Sequence, residues 1–440
     1  MNIILLSGGS GKRLWPLSND IRSKQFLKIF TNNDGTRESM VQRMIRMINA
    51  NNPEAKITIA TAENQIPQIR SQVGDEVSIS VEPSRKDTFP AIVLASAYLK
   101  KCGVGLEEPV VICPVDPYVE EDYFKCLNVL ADHVEEANLT LMGIEPTYPS
   151  QKYGYIIPDS HHYISSVKEF KEKPDACTAE KYIREGALWN AGVFAFKLSY
   201  LMSIAKELFG TDEYDKMYSK YASLPKISFD YAVVEKEKHI NVVRYSGQWK
   251  DLGTWNTFTE AMHDLVSGKA TVVDCKNTHV INELGIPLIA LGMNNTVIAA
   301  TADGILVSDK ETSPKLKDYV ATARPMYERR VWGEYRVLDY KHSSDGNNSL
   351  VKELIISPGQ HISYQRHKHR TEMWTLTQGH GELILDDYVR RVKRGDVVAI
   401  TPGTKHAIKG ITELHLIEVQ LGDELTEDDV ERLDWNWNEM

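Results

Sequence analysis

Gly8, Gly9 and Gly11, with Lys12 and Arg13 beside them, directly follow the apolar run Ile3 to Leu6, and Lys24 stands a short way on. Glycines in a loop after a strand let backbone N–H groups approach a polyphosphate closely, and the neighbouring cations strengthen the attraction. Two familiar phosphate loops fail on inspection. A GxxxxGK[ST] loop needs Gly at position 6 and Ser or Thr at 13, where the chain has Leu6 and Arg13; a dinucleotide-binding GxGxxG loop needs Gly or Ala at 14, where it has Leu14. Two acids stand on distant segments, Asp116 after the apolar run PVVIC and Asp251 between the tryptophans of QWKDLGTW. Read alone, each is as well explained as a turn or helix-capping residue. Near the carboxyl end His367-x-His369 precedes Glu372, and residues two apart on a strand share a face, so both histidines can face one interior, although an isolated H-x-H among arginines and lysines is usually a solvated strand.

The elements that must hold these groups are readable from periodicity. Short β-rich runs at Asn2 to Leu6, Lys56 to Thr61, Val77 to Val81, Pro109 to Cys113 and Leu139 to Ile144 alternate with helical patterns, for example Met40, Val41, Met44, Ile45 and Ile48 at helical spacing. Such alternation predicts an α/β unit, Rossmann-like, with a mostly parallel sheet covered on both faces and ligands beyond the carboxyl ends of its strands. This unit is expected to span residues 1–263. Over 264–325 the runs TVVD, PLIALG, TVIAA and GILVS alternate with Asn, Gly and Asp, which predicts a small β connector with little chemistry of its own. Over 326–440 strand-like runs at short intervals, separated by Gly-containing turns, predict an antiparallel barrel or sandwich. No fixed-period repeat is evident.

Composition narrows the classes further. The chain has 440 residues, with 51 Lys plus Arg against 61 Asp plus Glu, giving a formal charge of −10 that recommends neither a nucleic-acid nor an anionic-membrane partner. Any anionic ligand must therefore be met by a local cluster of cations. The opening apolar run is too short for a signal-peptide core, and no stretch reaches the roughly 18 apolar residues of a membrane span. Five widely spaced cysteines form neither a C-x-x-C pair nor a disulfide framework, so the expectation is a reducing cytoplasm and buried or neutral thiols.

The longer pattern GG-x-G-x-RL-x-PL, from Gly8 to Leu17, followed by Lys24-Gln25-Phe26, resembles the signature of the sugar-1-phosphate nucleotidyltransferases, and its Trp-Pro-Leu-Ser version resembles their mannose-1-phosphate guanylyltransferase branch. Glu82-Pro83, Thr88-x-Pro90-Ala91, Tyr153-Gly154-Tyr155-Ile156, Phe170-Lys171-Glu172-Lys173-Pro174, Trp189-Asn190-Ala191-Gly192, Asp230-Tyr231-Ala232-Val233-Val234-Glu235-Lys236 and Trp249-x-Asp251-Leu252-Gly253 follow in that family's order over about 250 residues. The resemblance implies in-line attack by a sugar 1-phosphate on the α-phosphorus of a nucleoside triphosphate. Both reactants are anions, so charge neutralisation and positioning must do most of the catalysis.

On that resemblance Arg13 holds the departing phosphates and Lys24 stabilises charge near the α-phosphate, while Asp116 and Asp251 are ligands of Mg²⁺. Gly8, Gly9, Gly11, Lys12, Glu82, Asp87 and Thr88 fall on the nucleotide side; Gly154, Glu172, Lys173 and Asn190 form the sugar-phosphate pocket. The resemblance implies GTP and mannose 1-phosphate as the substrates, giving GDP-mannose. Another triphosphate or sugar 1-phosphate is the nearest alternative, because Lys86-Asp87 stands where the family usually has Arg-Asn, Pro117 where it has His, and Ser23 where it has Pro. A non-catalytic effector-binding homologue is a third reading, and retention of the charged residues argues against it.

The segment Gln365 to Trp374, with Gly379 and Gly403-x-x-His406, resembles the cupin motif of type II phosphomannose isomerases fused to guanylyltransferases, implying a C-terminal cupin barrel with His367, His369, Glu372 and His406 around Zn²⁺ or another divalent metal. The isomerase-bearing relatives continue His-Arg-Leu-Glu-Asn where this chain has His406-Ala407-Ile408-Lys409-Gly410, and Met373 replaces a usual histidine. Isomerase activity is therefore expected to be weak, absent or directed at another sugar, with a bifunctional enzyme as the alternative. The sequence is compatible with a homo-oligomer.

Overall fold

The computed structural model describes all residues except 9–10, 20–21, 33, 321–324, 436 and 438–440. Its largest element is a nine-stranded sheet whose order, edge to edge, is Ser78–Glu82, Lys56–Ala62, Asn2–Leu6, Pro109–Pro114, Leu188–Lys197, Leu139–Ile144, Ile240–Tyr245, Ile164–Lys171 and Tyr155–Pro158. The first four strands are parallel, as the strand–helix alternation predicts. Beyond them two reversed strands interrupt the common direction. Leu188–Lys197 enters antiparallel between Pro109–Pro114 and Leu139–Ile144, and the last two strands are antiparallel to their neighbours, so the sheet is mixed. Antiparallel neighbours need no right-handed crossover helix, which leaves this half of the sheet free to carry pocket-forming turns.

Apolar side chains on both faces of the sheet pack against helices. Met40–Asn51 buries Met40, Val41, Met44, Ile45 and Ile48, the set expected from their spacing, and its amino end is closed by a capping box between Ser39 and Gln42. Thr88–Lys101 covers the other face; Ile92, Val93 and Leu94 are fully buried in a core shared with Val110, Ile112 and Phe194. Among the described residues no helix is long and apolar enough to cross a membrane. All five cysteines are free. Cys113 and Cys126 are buried, their thiols pushed up by burial to about 12 and about 11, whereas Cys102 and Cys177 are exposed.

The connector is more than a spacer. Ala270–Val273 pairs in parallel with Leu288–Leu291, and His279–Asn282 pairs in parallel with Thr296–Thr301, so that 270 faces 288 and 279 faces 297. Both pairings have a constant offset of eighteen positions, a coil repeat that the sequence hides because the residues are not repeated. Gly268 (φ +89°) sits where a Cβ would lie 1.9 Å from the Asn282 carbonyl oxygen, so only glycine allows the coils this close. Ile281, Val297, Ala299 and Leu306 of the connector share one core with Leu14, Leu17 and Leu27 of the first loop and with Trp255 and Phe258.

Beyond the connector lie a six-stranded and a five-stranded sheet, with antiparallel pairing throughout. The runs expected to be strands fall in Asn348–Ile356, Arg370–Gln378, His380–Leu385, Val397–Ile400 and Leu414–Gly422. Trp374, Leu376, Leu383, Ile400, Ile408 and Leu416 fill the space between the sheets.

Candidate functional site

Lys24 lies in the short helical turn Lys24–Phe26, and the flanking residues fix it: Ser23 accepts a hydrogen bond from Gln65 (2.7 Å), and Gln25 donates one to Ser7 (3.1 Å). Its Nζ reaches Asp116 Oδ2 at 2.8 Å and Asp251 Oδ1 at 3.4 Å. The two distant acids meet because Pro117–Val119 pairs antiparallel with Trp249–Asp251, placing Asp251 opposite Pro117. Proline, standing where a histidine was expected, thus opens the small strand that brings the carboxylates together. Burial alone would lower the Lys24 pKa, but Asp116 and Asp251 raise it, so the ammonium is held charged.

Arg13 belongs to the turn Gly11–Leu14 and is exposed, and Gly8 faces open space. Gly9 and the Lys12 side chain lie outside the described residues. The loop is clamped from behind by the connector, a role the sequence did not suggest. Gly304 leaves room for the Trp15 ring, which a Cβ there would meet at 2.4 Å; Thr301 donates to the Pro16 carbonyl (3.0 Å); and Asp303 accepts from the Asn19 side-chain amide (2.8 Å) and from the Met326 backbone N–H (2.7 Å). Asp303 thereby joins the first loop to the entry of the C-terminal sheets. Asp303→Asn is expected to lower kcat severalfold, because two amide nitrogens would then face each other, and Asn19→Asp in the same chain is expected to restore it. Steady-state rates of the three variants check this; a double variant no better than the single one would assign Asp303 a purely structural role.

Among the residues expected to face a nucleotide, Thr88 accepts from the Phe229 N–H (2.8 Å), and exposed Asp87 caps its helix by accepting from the Thr88 N–H (2.8 Å). Lys86 donates to the Ala222 carbonyl (2.7 Å). Glu82 is half-buried and accepts from the Tyr221 hydroxyl (2.7 Å); burial pushes its carboxyl above the ordinary range. Tyr221 was not singled out in the sequence, where nothing distinguishes it from other tyrosines.

The residues expected to form a sugar-phosphate pocket cluster tightly. Lys173 Nζ lies 2.5 Å from Glu172 Oε1, and Lys173 itself adopts φ +46°, a left-handed conformation uncommon for a residue with a side chain. A Cβ at Gly154 would stand 2.6 Å from Glu172 Oε2 and 2.8 Å from the Phe170 ring, so any side chain there would displace Glu172, and the Gly154 carbonyl accepts from the Asn190 N–H (2.8 Å). Asn190 donates its side-chain amide to Asp230 (2.7 Å) and accepts from the Gly192 N–H (3.0 Å). Asp230, which sat unremarked in a quoted motif, therefore orients the Asn190 amide.

Burial and the nearby Glu172 charge push Asp230 from 3.8 up to about 7. Between those pH values the folded chain keeps a proton that the unfolded chain has lost, so this group costs stability progressively as pH rises through the window. Asp230→Asn, neutral throughout, is expected to gain on the wild type from pH 4 to pH 7 by a few kcal/mol at most, at about 1.4 kcal/mol per pK unit, and then level off. Melting temperatures of both proteins across that range check it; a difference independent of pH would contradict the assignment.

In the C-terminal part the structure corrects the expected ligand set. Ligand atoms of His367, Glu372 and His406 all lie within 4.8 Å of one another, and all three residues are buried. His369 is not among them: it is exposed, 3.6 Å from Asp423. The strand Gln365–Arg366 ends before the histidines, and Asp429 accepts the N–H groups of Lys368 and His369 (2.9 and 3.2 Å), so two-residue alternation no longer applies. The interior position is taken by Arg370, whose Nε donates to Glu372 (2.9 Å). His406 Nδ1 contacts the Thr404 carbonyl (2.9 Å), which leaves Nε2 directed towards Glu372, and neither that nitrogen nor the His367 ring nitrogens has a hydrogen-bond partner. Burial lowers the His406 pKa, which favours the neutral ring that a metal ligand needs. Unpartnered buried ring nitrogens beside a carboxylate fit a divalent cation.

Residues 2–268 match the family model described as nucleotidyl transferase, and residues 318–435 match that described as mannose-6-phosphate isomerase C-terminal. The chain is 31% identical to the xanthan biosynthesis protein XanB of Xanthomonas campestris pv. campestris, covering 98% of this chain and 97% of that protein. It is 29% identical to the mannose-1-phosphate guanylyltransferase RfbM of Salmonella typhimurium, covering 98% and 96%. Among solved structures it is similar to a mannose-1-phosphate geranyltransferase from Thermus thermophilus, with a TM-score of 0.62 and 27% identity over 72% of this chain and 97% of that one.

Proposed function

The chain belongs to the nucleotidyl transferase family, and from that premise we propose that it transfers a guanylyl group from GTP to mannose 1-phosphate, yielding GDP-mannose and pyrophosphate. A phosphate oxygen of the sugar attacks the α-phosphorus, a new P–O bond forms, and the bond to the β-phosphate bridging oxygen breaks as pyrophosphate leaves. The observation that carries this reading is the meeting of Lys24, Asp116 and Asp251.

In this reading the glycine loop, Lys12 and Arg13 bind the triphosphate, and Glu82, Asp87 and Thr88 face the nucleoside. Glu172 and Asn190 orient sugar hydroxyls, and Lys173 meets the sugar phosphate once it exchanges Glu172 for the ligand. Asp116 and Asp251 would hold Mg²⁺, which when bound supplies charge neutralisation between the two anions. Lys24 then turns from the carboxylates to the charge growing on the α-phosphate. The reaction would take place in a reducing cytoplasm, in keeping with the free cysteines.

Four nucleoside triphosphates tested against several sugar 1-phosphates, scored by Mg²⁺-dependent pyrophosphate release, test the proposal. GTP with mannose 1-phosphate is expected to react fastest. Preference for another pair would transfer the same chemistry to another substrate, and no release from any pair would favour an effector-binding protein. The specific observation behind the first alternative is Asp87, which serves as a helix cap and, when ionised, cannot donate to a base as asparagine does.

For residues 326–440 the reading is a cupin barrel in which His367, Glu372 and His406 would hold a divalent metal such as Zn²⁺. A metal would polarise sugar oxygens, but isomerisation also needs a group to move a proton between adjacent carbons. Purified protein is accordingly expected to convert mannose 6-phosphate to fructose 6-phosphate far below ordinary enzyme rates, as read by a coupled assay. Turnover near 10 per second, a typical enzyme value, would overturn that expectation.

A further inference from the structure

A cavity of about 250 Å³ opens behind the Lys24 loop, where that loop, the connector and the first C-terminal strand meet, and none of its lining residues belongs to the nucleotide, sugar or metal sites above. Its charged lining consists of Arg22, Lys28, Arg37 and Arg329 against a single carboxylate, Glu283. Arg329 also pairs with Glu334 (3.0 Å) and Arg37 with Asp264 (2.8 Å), both acids outside the lining, so the excess of cations in this concave place comes down to Lys28, with Arg37 held by an exposed partner. The floor, including Leu17 and Ile281, belongs to the core shared by loop and connector, so the site offers an apolar wall with cations around it. That combination suits a phosphate group carrying a compact organic part.

Arg22 is the group that would couple such a ligand to the loop. It makes a two-pronged ion pair with Glu283 (2.6 and 2.7 Å), lies 5.8 Å over the Tyr327 ring, and donates its backbone N–H to the Asn19 side-chain oxygen (2.6 Å). It thus touches all three parts of the chain two residues before Lys24. Arg37 is paired with Asp264 (2.8 Å), a contact whose two side chains are about two-fifths exposed and worth little, whereas exposed Lys28 makes no ion pair among the described residues. Lys28 and Arg37 are therefore the cations most readily redirected to a ligand.

We propose that this junction cavity is a second anion site, binding a small phosphorylated metabolite or free phosphate between Lys28, Arg37, Arg22 and Arg329, apart from the transferase site. Its occupant bridges the Lys24 loop, the connector and the C-terminal sheets.

The test is calorimetric titration of the full-length protein with ribose 5-phosphate and, separately, with inorganic phosphate. Wild type is expected to bind at one junction site per chain, and Lys28→Gln/Arg37→Gln to weaken that binding at least tenfold while leaving pyrophosphate release at saturating reactants unchanged. Lys28→Glu alone, at an exposed unpaired position, is expected to give the same loss should the double variant fold poorly. Tighter binding of ribose 5-phosphate identifies a phosphorylated metabolite; equal binding identifies free phosphate, and either supports the site. Identical isotherms for wild type and both variants, or no binding by wild type up to about 10 mM, would overturn it. The readout is binding, so the proposal stands or falls independently of the transferase reading.

Discussion

Lys24→Ala is expected to lower the rate of the chemical step by about 10²- to 10³-fold while weakening triphosphate binding much less, the size of effect seen when one preorganised donor to a developing oxyanion is removed. The expectation rests on an apparent contradiction. The Lys24 ammonium is paired with two carboxylates, at 2.8 and 3.4 Å, an arrangement that at first sight competes with service to phosphate. The pairing is better understood as storage. It holds the side chain extended and charged at the place where Asp116 and Asp251 converge, so little reorganisation is needed when charge appears on the α-phosphate. Single-turnover rates together with triphosphate affinities separate the two contributions. An affinity loss with an unchanged chemical rate would give Lys24 a ground-state role instead.

Asp251→Asn is the second large effect, with Mg²⁺-dependent turnover expected to fall by about 10²-fold or more and the melting temperature expected to change little. Asparagine keeps the shape and the strand pairing opposite Pro117 but removes the charge that both a divalent ion and Lys24 require. The carboxylate is more than a third exposed and its pair with Lys24 is long, so its loss should cost the fold little. Turnover measured across a Mg²⁺ titration, beside a thermal melt, checks both halves. A collapse in melting temperature would mark Asp251 as structural.

The legible part of this molecule was whatever local pattern decides. The strands Asn2–Leu6, Lys56–Ala62, Pro109–Pro114 and Leu139–Ile144 and the helix Met40–Asn51 follow from apolar runs and 3.6-residue spacing, and the structure places them as expected. Strand direction was not legible. Nothing in LWNAGVFAFK says that it runs antiparallel between Pro109–Pro114 and Leu139–Ile144, because a fully buried strand reads as a continuous apolar run in either orientation.

Site residues divide along similar lines. Lys24, Asp116 and Asp251 could be singled out from motif order, but their meeting depends on a three-residue strand pair that no periodicity reveals. Asp230 and Tyr221 act through other side chains, Asn190 and Glu82, and such contacts across 40 and 139 residues leave no local mark. His369 failed for a definite reason: the face-sharing rule holds only inside a strand, and Asp429, far along the chain, bends the backbone out of one. Likewise the connector looked inert because its work is done by Gly304, Thr301 and Asp303, residues ordinarily read as a turn.

The central claim is that one divalent ion sits between Asp116 and Asp251 with Lys24 turned to the phosphates. Crystals grown with Mn²⁺, mannose 1-phosphate and a GTP analogue that cannot be cleaved at the α-phosphate test it through anomalous scattering. The account predicts a manganese peak in contact with both carboxylates and Lys24 Nζ moved onto a phosphate oxygen. A peak elsewhere, or Lys24 still bridging the two acids with both reactants bound, would contradict it.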